Sequence, residues 1–295
     1  MTADIITLEA GKQRLRLIPS LGGSVAAWDW KAGDAWAPLF RPWDGQSEER
    51  YSFACFPLVP WSNRITGGGF EHDGVFHPVK LNKPGEAYPI HGDGWMQPWQ
   101  VQDQGDGAIT LALESHRFDG DPYDYRSTQR FILEPHALRI ELSVTHHGEK
   151  PLPYGLGLHP YFVRNERTLL QSPCDGVWLA GDDPIPVSHT TEFPPTWDYN
   201  QPAPLQGPLI DNCFTGWIGE SVISYPDRGI SITMTMDDCN GYSLMYRPPD
   251  LPFFCLEPIT QPIDAFHMPG QPGLAILNEG DTFVLKSRFA VSALG

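Results

Sequence analysis

The sequence predicts an all-β protein, a large antiparallel β-sandwich with few short helices, on three observations. Several segments alternate apolar and polar residues at period two, as half-buried strands do. Glycine (29) and proline (30) make up one residue in five of 295, against roughly 12% in average usage, so turns cut the chain into short pieces. No window carries an i, i+3, i+4, i+7 apolar stripe over four turns, which leaves room for a short helix around residues 48–55 and little else.

Each strand has its own warrant. In QRLRLI (13–18) leucines alternate with arginines, and AITLALES (108–115) and TFVLKSRF (282–289) repeat the pattern. In LRIELSVTH (138–146), Leu138, Ile140, Leu142 and Val144 fall on one face. In ISITMTM (230–236), Ile230, Ile232, Met234 and Met236 oppose Ser231, Thr233 and Thr235. Turn clusters separate these runs: GDG at 105–107, FDGDPYD at 118–124, LEPHA at 133–137 and YPDRG at 225–229. The proline-rich stretch from Asp182 to Pro208 reads as one long loop over the body, and no Ser/Gly tract, charge block or fixed-period repeat marks a boundary. One domain over residues 1–295 is expected, since all-β units of about 200–250 residues are common.

Charge and cysteine usage exclude several classes of function. The net charge is −16, with no Lys/Arg run, which argues against nucleic acid and an anionic membrane surface as partners. No apolar stretch approaches the roughly 18 residues of a membrane span, and MTADIITLEA lacks the basic and apolar regions of a signal peptide. Five dispersed cysteines, an odd number without C-x-x-C, read as reduced thiols in a cytoplasmic protein. No H-E-x-x-H, Cys/His quartet, G-K-[ST] loop or G-x-S-x-G elbow occurs, so neither metal nor cofactor is expected.

Ionisable residues amid Gly, Pro and aromatics mark where strands end and sites are built. PWSNRITGGGF (60–70) carries Arg64, and YPIHGDGWMQPW (88–99) sets His91 beside two tryptophans, a pairing suited to a polyol. YGLGLHPYF (154–162) carries His159 before a proline that biases it to extended backbone. In FFCLEPITQPIDAFH (253–267), Glu257 follows the apolar run PFFCL. A carboxylate leaving a buried strand sits at low dielectric, which raises its pKa towards that of a useful base. LIDNCFTGW (209–217) offers Asp211 as a hydroxyl acceptor. His146 and His147 are neighbours on a strand, point to opposite faces and cannot share a ligand.

The succession NRI with Arg64, IHGDGW with His91, HPYF with His159 and LEP with Glu257 resembles the aldose 1-epimerase (galactose mutarotase) family over about residues 5–290, with HPYF and LEP the most specific elements. The resemblance implies a one-domain antiparallel β-sandwich that interconverts the α and β anomers of a sugar. It implies Glu257 as general base, His159 as general acid, Arg64 and His91 as sugar-binding groups, and Asp211 as an acceptor for sugar hydroxyls. Acid and base are expected on opposite sides of the O5–C1–O1 unit. Reference pKa values of about 4.3 and 6.5 suit these roles once burial raises the glutamate.

The sequence departs from better-known members around the sugar. FPLVPWS replaces a glycine-rich approach to NRI, Gly-Asp-Gly follows His91 where Gly-Gly is common, and Val163-Arg164 follows HPYF where many have Asn-Leu. These changes bear on substrate more than on reaction. Alternatives are a mutarotase for an anionic 6-substituted sugar (phosphate or sulfonate), with Arg41, Arg126 or Arg164 as the extra cation, and a non-catalytic carbohydrate-binding module. The expected partner is a small-molecule sugar, and the chain is a monomer or a homodimer.

Overall fold

The computed structural model describes residues 4–294, and the architecture is the expected antiparallel β-sandwich. One layer is a nine-stranded sheet whose centre is formed by Ile230–Met236, Thr282–Ala293, Ala137–His146, Asp124–Glu134 and Ala108–His116, in that spatial order. The other has six strands: Tyr161–Val163, Phe253–Pro258, Tyr242–Arg247, Ile210–Thr215, Gly176–Ala180 and Pro186–Thr190. A four-stranded sheet from Ile6–Ala10 to Ala35–Pro38 and several two-stranded ribbons complete the body. Among the described residues no helix is long and apolar enough to cross a membrane.

The period-two segments fold as their patterns require. Leu138, Ile140, Leu142 and Val144 are buried, while Arg139 is exposed and Glu141, Ser143 and Thr145 are half-buried, so this sheet has one dry face and one wet face. Its dry face shares a core with Met245, Phe254 and Leu256 of the six-stranded sheet. Phe253–Pro258 is buried along its whole length, which explains why PFFCL shows no alternation. Phe254 and Leu256 point into the core between the layers. Phe253, Cys255 and Glu257 point to the other face, where Cys255 and Phe253 join a second cluster with Phe53, Phe56, Ile90 and Trp95. That outer face of the six-stranded sheet is the platform for the candidate site.

Two segments differ from expectation. Around residues 48–55 the only helical turn is the 3-10 piece Arg50–Ser52. Ala54 N–H donates to Val25 O and Val25 N–H to Cys55 O, and this pairing with the four-stranded sheet draws the chain into extended geometry after one turn. The stretch 182–208 is not all loop. Pro186–Thr190 forms an edge of the six-stranded sheet, and Ala203–Pro204 forms an edge of the nine-stranded one. Proline lacks the N–H that an inner strand needs, so proline-rich segments can pair only at such edges.

Candidate active site

Glu257 lies opposite Leu244 in the pairing of Phe253–Pro258 with Tyr242–Arg247, and is 1% exposed. Tyr161 pairs with Cys255 on the other side, and continuing that antiparallel register by two residues sets His159 beside Glu257. His159 Nε2 lies 3.3 Å from Glu257 Oε1. The imidazole is clamped between Phe56 and Tyr161, with ring centroids at 4.6 and 4.8 Å and planes inclined by 29° and 17°. Its backbone N–H donates to Phe56 O at 3.0 Å. Acid and base candidates therefore stand side by side on one wall, where sequence reasoning had set them on opposite sides of the sugar.

His91 faces the pair from a neighbouring loop, its ring 5.4 Å from that of His159 and nearly perpendicular to it. Asn63 N–H donates to His91 Nδ1 at 3.1 Å, and His91 N–H donates to Asn63 O at 2.9 Å. In the neutral ring the accepting Nδ1 leaves the proton on Nε2, so His91 is a hydrogen-bond donor. This hairpin of segments depends on Gly92. Its φ is +69°, and a Cβ there would lie 2.3 Å from Val59 O, so close packing and backbone conformation both demand glycine. Asp93, the departure in Gly-Asp-Gly, accepts the Tyr125 hydroxyl at 2.7 Å and also takes Ser115 and Gln97. It ties the loop to the nine-stranded sheet. Asn82 supports the loop from outside by bonding the carbonyls of Ile90 and Gly92, each at 2.7 Å.

Arg64 bonds Glu86 Oε2 through Nε at 3.4 Å and Nη2 at 3.3 Å, and its Nη1 lies 3.9 Å from Asp211 Oδ2. Asp211 comes from Ile210–Thr215, opposite Tyr246 on the platform face, and its side chain is 28% exposed. All five residues singled out by sequence, Arg64, His91, His159, Asp211 and Glu257, line one cavity of about 310 Å³. That is near the lower end of ligand-pocket volumes and suits one small polar molecule.

The cavity holds residues the sequence did not single out: Tyr51, Asn63, Glu86, Tyr161, Tyr246 and Phe253. Asn63 and Tyr161 sit inside the quoted NRI and HPYF motifs. A buried arginine demands an acidic partner, but nothing in the local GEAY sequence marks Glu86 as that partner. Of three arginines weighed for an acidic substituent, only Arg41 reaches the cavity. Arg126 is on the nine-stranded sheet bonding Glu114 and Gln102, and Arg164 is tied to backbone carbonyls of Leu205, Pro248, Pro249 and Leu251.

Burial governs the protonation of the site. It raises Glu257 well above the usual carboxyl range; the negative Asp211 adds to the rise and Arg64 opposes it. Burial lowers His159 to about 3, assisted by the positive Arg41 and opposed by a backbone hydrogen bond. Burial likewise takes His91 well below its ordinary value, with His159 and Arg64 acting the same way. Asp211 is raised by desolvation and Glu86, against Arg64. The free cavity therefore holds neutral imidazoles beside a protonated Glu257. Across a 3.3 Å contact one proton hop converts acid plus imidazole into carboxylate plus imidazolium without changing net charge, so the two groups titrate as a pair.

The chain is thus a large antiparallel β-sandwich that presents a paired carboxyl and imidazole in a polar cavity on the outer face of one sheet. The aldose 1-epimerase family model matches residues 4–290, and the chain belongs to that family. It is 34% identical to the uncharacterized Escherichia coli K12 protein YphB over 94% of this chain and 95% of that one. A crystal structure of a candidate aldose 1-epimerase from Escherichia coli K12 superposes with a TM-score of 0.92 at 31% identity, over 99% of both chains. A galactose mutarotase-like protein from Clostridium acetobutylicum shares the fold with a TM-score of 0.88 at 15% identity, over 99% of this chain and 96% of that one.

Replacing Gly92 by alanine should displace the His91 loop. Expected are a loss of folding stability of at least about 1 kcal/mol in urea titrations and a shifted His91 ring resonance in NMR spectra. An unchanged midpoint with an unchanged His91 signal would show that the close approach to Val59 is not a constraint.

Proposed function

We propose that the chain is an aldose 1-epimerase in activity as well as in descent, interconverting α and β anomers of a hexose by opening and closing the ring. The observation that carries this reading is the buried Glu257–His159 contact inside a sugar-sized cavity. Anomer exchange must move protons at two oxygens bonded to the same carbon, so the groups serving them must also be neighbours. A module that only binds sugar has no use for a carboxyl and an imidazole held in buried contact.

In the ion-pair form, the Glu257 carboxylate takes the proton of O1 while the His159 imidazolium gives its proton to O5. The C1–O5 bond breaks, C1=O1 forms, and the chain opens to an aldehyde. After rotation about C1–C2 the imidazole removes the proton from the O5 hydroxyl, O5 attacks the other face of C1, and Glu257 returns a proton to O1. Each group ends the cycle as it began. His91 Nε2–H and Arg64 donate to sugar oxygens that gain negative charge, and Asp211 accepts from a hydroxyl at the open rim.

Magnetisation-transfer NMR on glucose and galactose should show anomer exchange faster than in buffer. Glu257→Gln should abolish the acceleration, and His159→Asn should reduce kcat by at least ~10²-fold, both with unchanged far-UV circular dichroism. A fully active Glu257→Gln protein would remove the base from this scheme.

The pH profile follows from one proton shared by the pair. That proton is lost on the alkaline side when the raised Glu257 ionises, and a second is added only when His159 titrates near 3. kcat/KM should stay level through the region near 6.5 where a free histidine titrates and fall at higher pH. An acidic limb centred near 6.5 would contradict the assignment.

A second reading, a hexose bearing an anionic 6-substituent, is favoured by Arg41. Its guanidinium lies over the rings of Tyr161 at 3.9 Å and Phe253 at 4.5 Å, and Nη2 donates to the carbonyls of Tyr51 and Phe53. These contacts fix the group without neutralising it, and among the described residues no carboxylate stands within ion-pairing distance, whereas Arg64 has two. Tyr161 packs on His159, the group assigned to O5, and C6 is attached to the carbon next to O5. Arg41→Met should raise KM for glucose 6-phosphate or a 6-sulfonated glucose about 10- to 100-fold, as loss of a hydrogen bond to a charged group does, and change KM for glucose far less. Equal effects on neutral and anionic sugars would set this reading aside.

A further inference from the structure

We infer that His159, Cys255 and Glu257 form a latent site for a zinc-class divalent cation, and that its occupation switches off the cavity's proton chemistry. A nitrogen of His159, the Cys255 sulfur and a Glu257 carboxylate oxygen all lie within 4.8 Å of one another, and all three residues are buried. The strand period produces this set. Cys255 and Glu257 are two residues apart on one strand and share a face, and the antiparallel register with Tyr161–Val163 brings His159 to the same spot.

The donors match the metal. Imidazole nitrogen, thiolate sulfur and carboxylate oxygen are the ligand types of zinc, and three protein ligands with a fourth position open is the pattern of accessible zinc sites. Metal–ligand bonds of about 2.0–2.3 Å imply ligand–ligand edges of roughly 3.3–3.8 Å in a tetrahedron. The His159–Glu257 contact already meets this at 3.3 Å, and the other two edges are no longer than 4.8 Å. Two of the three ligands, His159 and Glu257, line the cavity.

The second, independent observation is unmet bonding capacity. Glu257 Oε1 is buried without a hydrogen-bond partner, although nearly all buried polar atoms in folded proteins have one. Among the described residues Cys255 is 0% exposed and its sulfur makes no hydrogen bond. A cation would take Glu257 Oε1, one His159 nitrogen and the Cys255 sulfur together, and the thiol proton and the proton held by Glu257 both leave to solvent as the thiolate and carboxylate bind. It would also occupy the lone pairs that carry protons to and from O1 and O5, so the metal-loaded form cannot open a sugar ring.

The test reads binding directly and does not depend on turnover. Cd²⁺ added to the full chain should produce the ultraviolet thiolate-to-cadmium charge-transfer band with one equivalent bound by calorimetry. Zn²⁺ should displace it. Cys255→Ser should lose the band and weaken binding at least ~10-fold, and Glu257→Gln should weaken binding while keeping the thiol. Cys255→Ala serves as a second variant should serine perturb packing. Where anomer exchange is measurable, Zn²⁺ should suppress it in the parent protein and not in Cys255→Ser. Absence of the band, or a band that persists in Cys255→Ser, overturns the site. Binding without any mutarotation of sugars would leave the site standing and fall against the catalytic reading instead.

Discussion

A carboxyl and an imidazole held 3.3 Å apart and almost without water constrain everything around them. Neither can carry its charge alone at that depth, since isolated buried charges are strongly disfavoured. Together they can, as a neutral pair or as an ion pair with the same proton count. In the free cavity the surroundings favour the neutral pair. Desolvation and Asp211 favour the protonated carboxyl, Arg41 disfavours the imidazolium, and Arg64 pulls towards the carboxylate. Phe56 and Tyr161 clamp the imidazole by its faces, so its nitrogens stay in the plane where Glu257 and a ligand meet them.

The sandwich supplies the rigidity this requires. Glu257 sits on a strand whose opposite face carries Phe254 and Leu256 in the core between the layers, so its backbone is fixed on both sides. Asp211 is two strands away on the same platform, set by its pairing with Tyr246. Arg64 and His91 come instead from loops, and loops need their own anchors. Asp93 ties one loop down into the nine-stranded sheet through Tyr125, and Asn63 locks His91 in one tautomer. Glu257 and Asp211 on strands and Arg64 and His91 on anchored loops give the site a rigid platform beneath loops whose contacts can vary.

The sequence made the fold legible wherever one sheet face is wet. The alternation in LRIELSVTH and ISITMTM corresponds to strands because Arg139 and Thr233 meet water or partial exposure while their neighbours do not. It failed to mark strands where both faces are dry or where the strand is an edge. PFFCL reads as a featureless apolar run, and Pro186–Thr190 is disguised by prolines that only an edge tolerates. Four of the five site residues, Arg64, His91, His159 and Glu257, stood in short motifs whose chain order carried the information. Glu86 and Cys255 did not, because what makes them relevant is a partner more than twenty residues away or a register that no local pattern encodes.

The same register argument explains why His159 and Glu257 are side by side. On antiparallel neighbours, a residue two before Tyr161 and a residue two after Cys255 must lie opposite each other, so the HPYF and LEP motifs are two halves of one ladder position. Spacing in the chain says nothing of this, since 98 residues separate His159 from Glu257. Two oxygens on one anomeric carbon require neighbouring proton carriers, and adjacent strands deliver neighbours more rigidly than facing loops can. Paired strands, more than the loops above them, therefore set the contact between His159 and Glu257.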